Sequence, residues 1–198
     1  MKVLIDNGHG VNTAGKRSPD GVLMEYAYAR RVADSVVNGL RKRGVDAERI
    51  VKEEVDVPLS ERVRRVNDVC KEFGAKHVLL LSVHCNASGD GSSWMDARGW
   101  SAYTSRGSTK SDRVADCLYD EADRLFAGMK VRRDLGDGDS DFEADFYILK
   151  HTRCAAVLTE NFFMDNREDV DFLLSADGFS RVVDVHVCGI MNYLSGVL

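Results

Sequence analysis

HVLLLSVHCN, from His77 to Asn86, is the stretch on which the fold turns. Its apolar run, Val78 to Leu81 and on to Val83, has no alternation, which suits a central strand covered on both faces. Side chains of an extended chain alternate, so Ser82, His84 and Asn86 share one side, and Val83 and Cys85 the other. A buried strand that delivers a histidine and an asparagine at its end fits the habit of open α/β sheets of gathering sites at strand ends.

The neighbouring sequence extends the same pattern. Upstream, Val3 to Ile5 reads as a short buried strand leading into Asp6, Asn7, Gly8 and His9. Ala29, Val32, Ala33, Val36, Val37 and Leu40 form one helical stripe, with Gly44 as a stop, and stepping back four and seven residues puts Glu25 on that stripe. A second helix lies in Leu59, Val63, Val66, Val69, Cys70 and Phe73, started after Pro58 and ended by Gly74. Asn67 sits near its apolar seam, where an amide needs partners, and is expected to be a structural anchor. Downstream come a loop over Ala87 to Arg98, a strand at Trp100 to Thr104 and a helix on Val114, Leu118, Ala122 and Leu125. An acidic surface loop, Asp134 to Asp145, precedes strands at Phe146 to Leu149 and Ala155 to Thr159. The last helix turns Phe179, Val182, Val183, His186, Ile190, Tyr193 and Leu194 inward. The expectation is an α/β single domain with a central mostly parallel or mixed sheet flanked by helices.

Composition limits the function classes. At 198 residues, 44% hydrophobic and 30% charged, the chain suits one soluble globular domain. No stretch approaches the roughly 18 apolar residues of a membrane span, so membrane insertion is not expected. A net charge of -5 argues against a nucleic-acid partner. The basic runs Arg41 to Arg43 and Arg62 to Arg65 read as solvated helix faces. Cys70, Cys85, Cys117, Cys154 and Cys188 form no CxxC pair and read as reduced, mostly buried thiols. A monomer is expected. The opening strand leaves no room for a secretion signal, which leaves two readings: a protein made without one, or the mature part of one that had it.

His9, Glu25, His84 and Glu160 are polar groups carried by structured elements to places that solvation does not explain. Two imidazoles and a carboxylate suit zinc with a fourth position open. The same residues also fit a second reading, in which the histidines are hydrogen-bonded residues of core or loop and Glu25 makes a buried salt bridge to Arg62 or Arg64. Residue logic leaves both open. His186 reads as a satisfied core residue, with His77 and His151 peripheral. The run of Asp137, Asp139 and Asp141 resembles a calcium loop, but Ile148 occupies the position where an EF-hand needs glutamate, so a solvated loop is expected. Trp94 and Trp100 suit either glycan stacking or core closure.

Ordered motifs resolve the choice. IDNGHG (Ile5 to Gly10), Glu25 at a helix head, PLSERVRRVN (Pro58 to Asn67), SVHCNA (Ser82 to Ala87) and AAVLTENFFMDN (Ala155 to Asn166) together resemble the zinc-dependent N-acetylmuramoyl-L-alanine amidases of the Amidase_3 family. The late stretch follows that family's PxVLxExGFxxN pattern. The resemblance implies an amidase catalytic domain over residues 1–198 that hydrolyses the amide between N-acetylmuramic acid and L-alanine in peptidoglycan or muropeptides, in the setting of an endolysin or autolysin. It implies Zn2+ held by His9, Glu25 and His84, and Glu160 as the catalytic acid and base. Asp6 is the candidate partner for a histidine N–H, with an ordinary loop hydrogen bond an equal alternative, and Asn86 for substrate or ligand orientation. A zinc peptidase or deacetylase acting on another amide, and a non-catalytic wall-binding module, are the rival readings. Val11 replaces a second glycine after GHG, Arg153 and Cys154 precede Ala155 near a point where relatives often have proline, and Asn161 is read as replacing the glycine after the glutamate.

Overall fold

The computed structural model describes residues 1–136 and 138–196, so Asp137 of the acidic run lies outside the described residues. Six strands form one sheet in the order β2-β1-β3-β6-β4-β5. They are β1 (Lys2–Asn7), β2 (Asp46–Arg49), β3 (Val78–Asn86), β4 (Ser101–Thr104), β5 (Phe142–Glu143) and β6 (Ala155–Phe163). β2, β1, β3 and β6 run parallel, and β4 pairs antiparallel to β6. The expected mixed sheet is therefore found, with β3 at its centre between β1 and β6.

Helices cover both faces. α1 (Glu25–Lys42), α3 (Lys110–Leu125) and α6 (Ala176–Ser195) enclose the larger core with Val3, Ile5, Leu79, Leu81, Val83 and Cys85. α2 (Leu59–Phe73) and α4 (Tyr147–His151) enclose a smaller one with Leu4, Val78, Leu80 and Leu158. The unbroken β3 run is explained by this arrangement, because odd-numbered residues serve one core and even-numbered residues the other. Each fully buried leucine there contributes about 1.5–3 kcal/mol. α5 (Arg167–Leu174) starts at Asn166, whose side-chain oxygen accepts from Asp169 N at 3.1 Å.

Three expectations need correction. Phe146 to Leu149 is not a strand: it opens α4, with Leu149 N and Lys150 N donating to Phe146 O at 3.0 and 2.9 Å. A short apolar run cannot distinguish a strand from one helical turn. The acidic loop is not wholly solvated either, since it contains β5, and Asp141 is 1% exposed. The run Arg62 to Arg65 is only in part a solvated face, because Arg62 is 2% exposed. By contrast, Asn67 is the expected anchor: its amide donates to His151 O and accepts from Arg153 N, both at 2.9 Å. His186 is fully buried, with Nδ1 2.7 Å from Val182 O and Nε2 2.9 Å from the Thr159 hydroxyl. A carbonyl only accepts, so Nδ1 carries the proton, and burial holds this imidazole neutral with a pKa near 4.

Asp141 gives a pH dependence that can be tested. Its Oδ2 accepts from the Thr104 hydroxyl at 2.7 Å, yet burial, reinforced by the charge of Asp139, raises its pKa to about 7. A carboxyl with a folded pKa above its unfolded value takes up a proton on folding, so its contribution to stability falls as pH rises from about 4 to about 7. Asp141→Asn keeps an acceptor for Thr104 and removes the titration. The variant is expected to gain stability over wild type between pH 5 and pH 8 in urea unfolding, whereas a constant difference between the two proteins would contradict the assignment.

Candidate metal centre and active site

The carboxyl ends of β1, β3 and β6 and the first residue of α1 meet at one edge of the sheet. In register, His84 of β3 lies opposite Glu160 of β6. Paired residues share a sheet face, so both side chains leave on the same side. Glu25 arrives from the α1 layer, and its Oε1 accepts from Cys85 N at 3.1 Å. His84 Nδ1 is 3.1 Å from Glu25 Oε1, and His9 Nε2 is 3.4 Å from Glu25 Oε2. The two imidazoles meet edge to face with centroids 5.1 Å apart.

His9, Glu25 and His84 thus bring one ligand atom each within 4.8 Å of one another. The salt-bridge reading of Glu25 fails, since Arg62 pairs with Asp6 and Asp56, and Arg64 with Glu61 and Asp68. Burial alone would push the Glu25 pKa up, but the hydrogen bond and charge of His84, the charge of His9 and the Cys85 N–H bring it down on balance. Burial lowers His9 to about 4 and leaves it a neutral donor. Glu160 is raised to about 7 by burial, against His84 and with Glu25. Its Oε2 is buried without a hydrogen-bond partner among the described residues.

Both glycines around His9 are required by close approach. A Cβ on Gly8 would lie 2.4 Å from the His84 ring, and one on Gly10 would lie 1.9 Å from Asp56 N. His9 itself has φ 58°, a conformation that non-glycine residues adopt rarely and at a cost of order 1–3 kcal/mol. Two arginines hold it there. Arg30 Nη1 donates to His9 O at 3.0 Å, and Arg62 Nη2 reaches the same oxygen at 3.4 Å. Arg62 also donates to Asp6 Oδ1 and Asn7 O at 2.6 Å and to Asp56 Oδ1 at 2.9 Å.

Asp6 is therefore not the partner of a histidine N–H. One oxygen accepts from Arg62 and the other from the Ser82 hydroxyl at 2.6 Å. Asn86 lies opposite the bulge in β6, with its Oδ1 accepting from Ala87 N at 2.8 Å. The sequence carries no signal for Arg30 in α1, and for Arg62 only that α2's apolar seam includes position 62.

The departure read at Asn161 belongs one residue later. Counted along the motif, the glycine position is Phe162, and it is Phe162 that has φ 64°. Its ring is fully buried against Phe126 at 4.9 Å and Phe172 at 5.0 Å, so core packing offsets the backbone cost. Asn161 has a different role, in which its amide nitrogen donates to His84 O at 2.9 Å and its oxygen accepts from the Trp100 indole at 3.0 Å. Trp100 is fully buried and closes the core, while Trp94 is partly buried under the Arg167 guanidinium at 4.3 Å.

Comparison with known proteins identifies the family. Residues 3–192 match the family described as N-acetylmuramoyl-L-alanine amidase, Amidase_3. The chain belongs to that family. It is 27% identical over 195 residues to an endolysin of Bacillus phage SPP1, covering 98% of this chain and 66% of that protein. It is 28% identical to the N-acetylmuramoyl-L-alanine amidase CwlM of Bacillus licheniformis, covering 96% of this chain and 67% of that one. The chain thus spans about two thirds of the length of both relatives. In fold it is similar to the N-acetylmuramoyl-L-alanine amidase from Clostridium difficile 630, with a TM-score of 0.82, 21% identity, and 100% and 98% of the two chains covered. The catalytic domain of CwlV from Bacillus (Paenibacillus) polymyxa var. colistinus gives 0.80 at 22% identity, with 98% of each chain covered.

Arg62→Met tests the support of the His9 loop. It removes the charge but keeps much of the volume, leaving Asp6 buried without its cation, and is expected to destabilise the protein by about 3–5 kcal/mol in urea unfolding. Arg64→Met, at an exposed pair, is expected to cost no more than about 1 kcal/mol. Equal losses in the two variants would contradict the assignment.

Proposed function

We propose that residues 1–198 act as a zinc-dependent catalytic domain that hydrolyses the amide between the lactyl group of N-acetylmuramic acid and the L-alanine of the peptidoglycan stem. The observation that carries this reading is the convergence of His9, Glu25 and His84 beside Glu160, whose Oε2 is buried without a hydrogen-bond partner among the described residues, in a chain of this family.

The donor set fits zinc. Two imidazoles and a carboxylate are a zinc donor set. His84 Nδ1 and His9 Nε2 lie 3.1 and 3.4 Å from the two oxygens of Glu25, and one ligand atom from each of the three residues falls within 4.8 Å of the others. Glu25 Oε2 is buried with no hydrogen bond among the described residues, an orphaned acceptor that a cation would satisfy. When bound, zinc supplies a Lewis acid that polarises the amide carbonyl and makes water nucleophilic near neutral pH.

The protein's own residues supply the rest. Glu160 takes the attacking water's proton on Oε2 and gives it to the departing nitrogen; its raised pKa suits both halves of that task. Asn161 and Trp100 fix the β3 backbone at His84, which keeps the imidazole in place. A cleft of about 180 Å³, lined by His9, Asp56, Leu59, Arg62 and His84, opens beside the ligands and is roomy enough for part of an acyl group. Among the described residues no helix is long and apolar enough to cross a membrane.

Turbidity clearing of isolated peptidoglycan, with mass analysis of the products, tests this reading. Wild type is expected to release intact stem peptides with a free L-alanine amine, and Glu160→Gln to lose activity by roughly 10²–10⁴-fold while keeping its metal. Cleavage only between amino acids would favour a peptidase. Undiminished activity in the variant would remove Glu160 from the mechanism.

A further inference from the structure

Glu160 divides the site in two. On one side lie the three ligands and the cleft beside them. On the other, β4 runs antiparallel to β6, with Ser101 opposite Glu160 and Tyr103 opposite Leu158. Tyr103 therefore shares a sheet face with Glu160 and His84. Its ring stacks on Phe142 at 5.2 Å and 29°. The Arg132 guanidinium covers Phe142 at 6.0 Å and Phe163 at 4.9 Å, and Phe163 is the register partner of Asn86. Tyr103, Phe142, Arg132 and Phe163 thus form a run of ring and guanidinium contacts alongside β6, with Phe163 buried beneath Arg132.

Arg132 is built into this run. Its N–H donates to Trp100 O at 2.8 Å, and its carbonyl accepts from the Tyr119 hydroxyl at 3.0 Å. The side chain is partly exposed and has no carboxylate partner among the described residues, although acidic residues are more numerous than basic ones in this chain. A guanidinium laid on aromatic faces from a fixed backbone is preorganised to take a carboxylate in a two-pronged contact.

The chemistry decides which half of the substrate meets it. Glu160 protonates the departing amine, so that nitrogen lies within hydrogen-bond reach of Glu160 while the acyl side faces the ligands. The peptide beyond the nitrogen then continues over β4. The geometry points to Arg132 as the residue that recognises the stem peptide, through the free carboxylate nearest the scissile bond, with Tyr103 and Phe142 lining the path. This assignment rests on the amidase reading above and adds to it a preference for acidic stems.

Two soluble muropeptides that differ only in the second stem residue, with its α-carboxyl free or amidated, test it against wild type, Arg132→Gln and Arg132→Lys. Arg132→Gln is expected to raise KM for the acid about tenfold with kcat within about twofold, and to leave the KM of the amide unchanged. Arg132→Lys is expected to recover part of the loss, because it restores the charge without the fork. Equal effects of Arg132→Gln on both substrates, or none on either, would overturn the assignment while leaving the amidase reading intact. Failure of wild type to release a peptide from either substrate would overturn both.

Discussion

The carboxylate of Glu25, 1% exposed at the head of an apolar helix face, is the constraint around which the rest is arranged. A buried ion without compensation is unstable. Here the compensation comes from two imidazoles and one backbone N–H, all delivered by other elements. His84 can come close only because position 8 has no side chain. His9 can turn toward Glu25 only in a left-handed conformation, and Arg30 and Arg62 hold the carbonyl that this conformation exposes. The ligand cluster is thus a product of both helical layers and of three parallel strands in register.

A second set of contacts keeps the catalytic side rigid. His186, Thr159 and Asn161 form a buried polar chain that ends on the His84 carbonyl, with the Trp100 indole closing it. Every member has a partner, which is the condition under which a buried network stabilises one arrangement. Next to it Phe162 accepts a strained φ and fills the core, so that β6 can bulge after Glu160 and still pair Phe163 with Asn86. The bulge follows Glu160 without ending the strand.

Much of this was legible in the sequence, for physical reasons. The β3 run and the α1 stripe are long, periodic and buried, and such segments carry strong signals. Glu25 stood out as a charge out of phase with its surroundings. β2 and β5 did not, because Asp-Ala-Glu-Arg and Phe-Glu are short and polar, and only the neighbouring strand makes them strands. Arg62 was hidden among three charged neighbours, of which Arg64 is exposed and Glu61 and Arg65 partly so. Its burial depends on Asp6, 56 residues earlier, a pairing that no local pattern encodes. The glycine departure fell on the wrong residue through the count alone, because the motif has one residue between its glutamate and its glycine and so points to Phe162. The roles of Trp94 and Trp100 likewise follow from packing that brings Arg167 and Asn161 to them.

Metal content measures the central claim most directly. Wild-type protein, exchanged into chelator-treated buffer containing equimolar zinc and then desalted, is expected to retain about one zinc per chain, as a three-ligand site with an open position would. His9→Ala, Glu25→Ala and His84→Ala are expected to retain far less, with folding checked by circular dichroism. Retention of a full equivalent by folded Glu25→Ala, or none by wild type, would contradict the account.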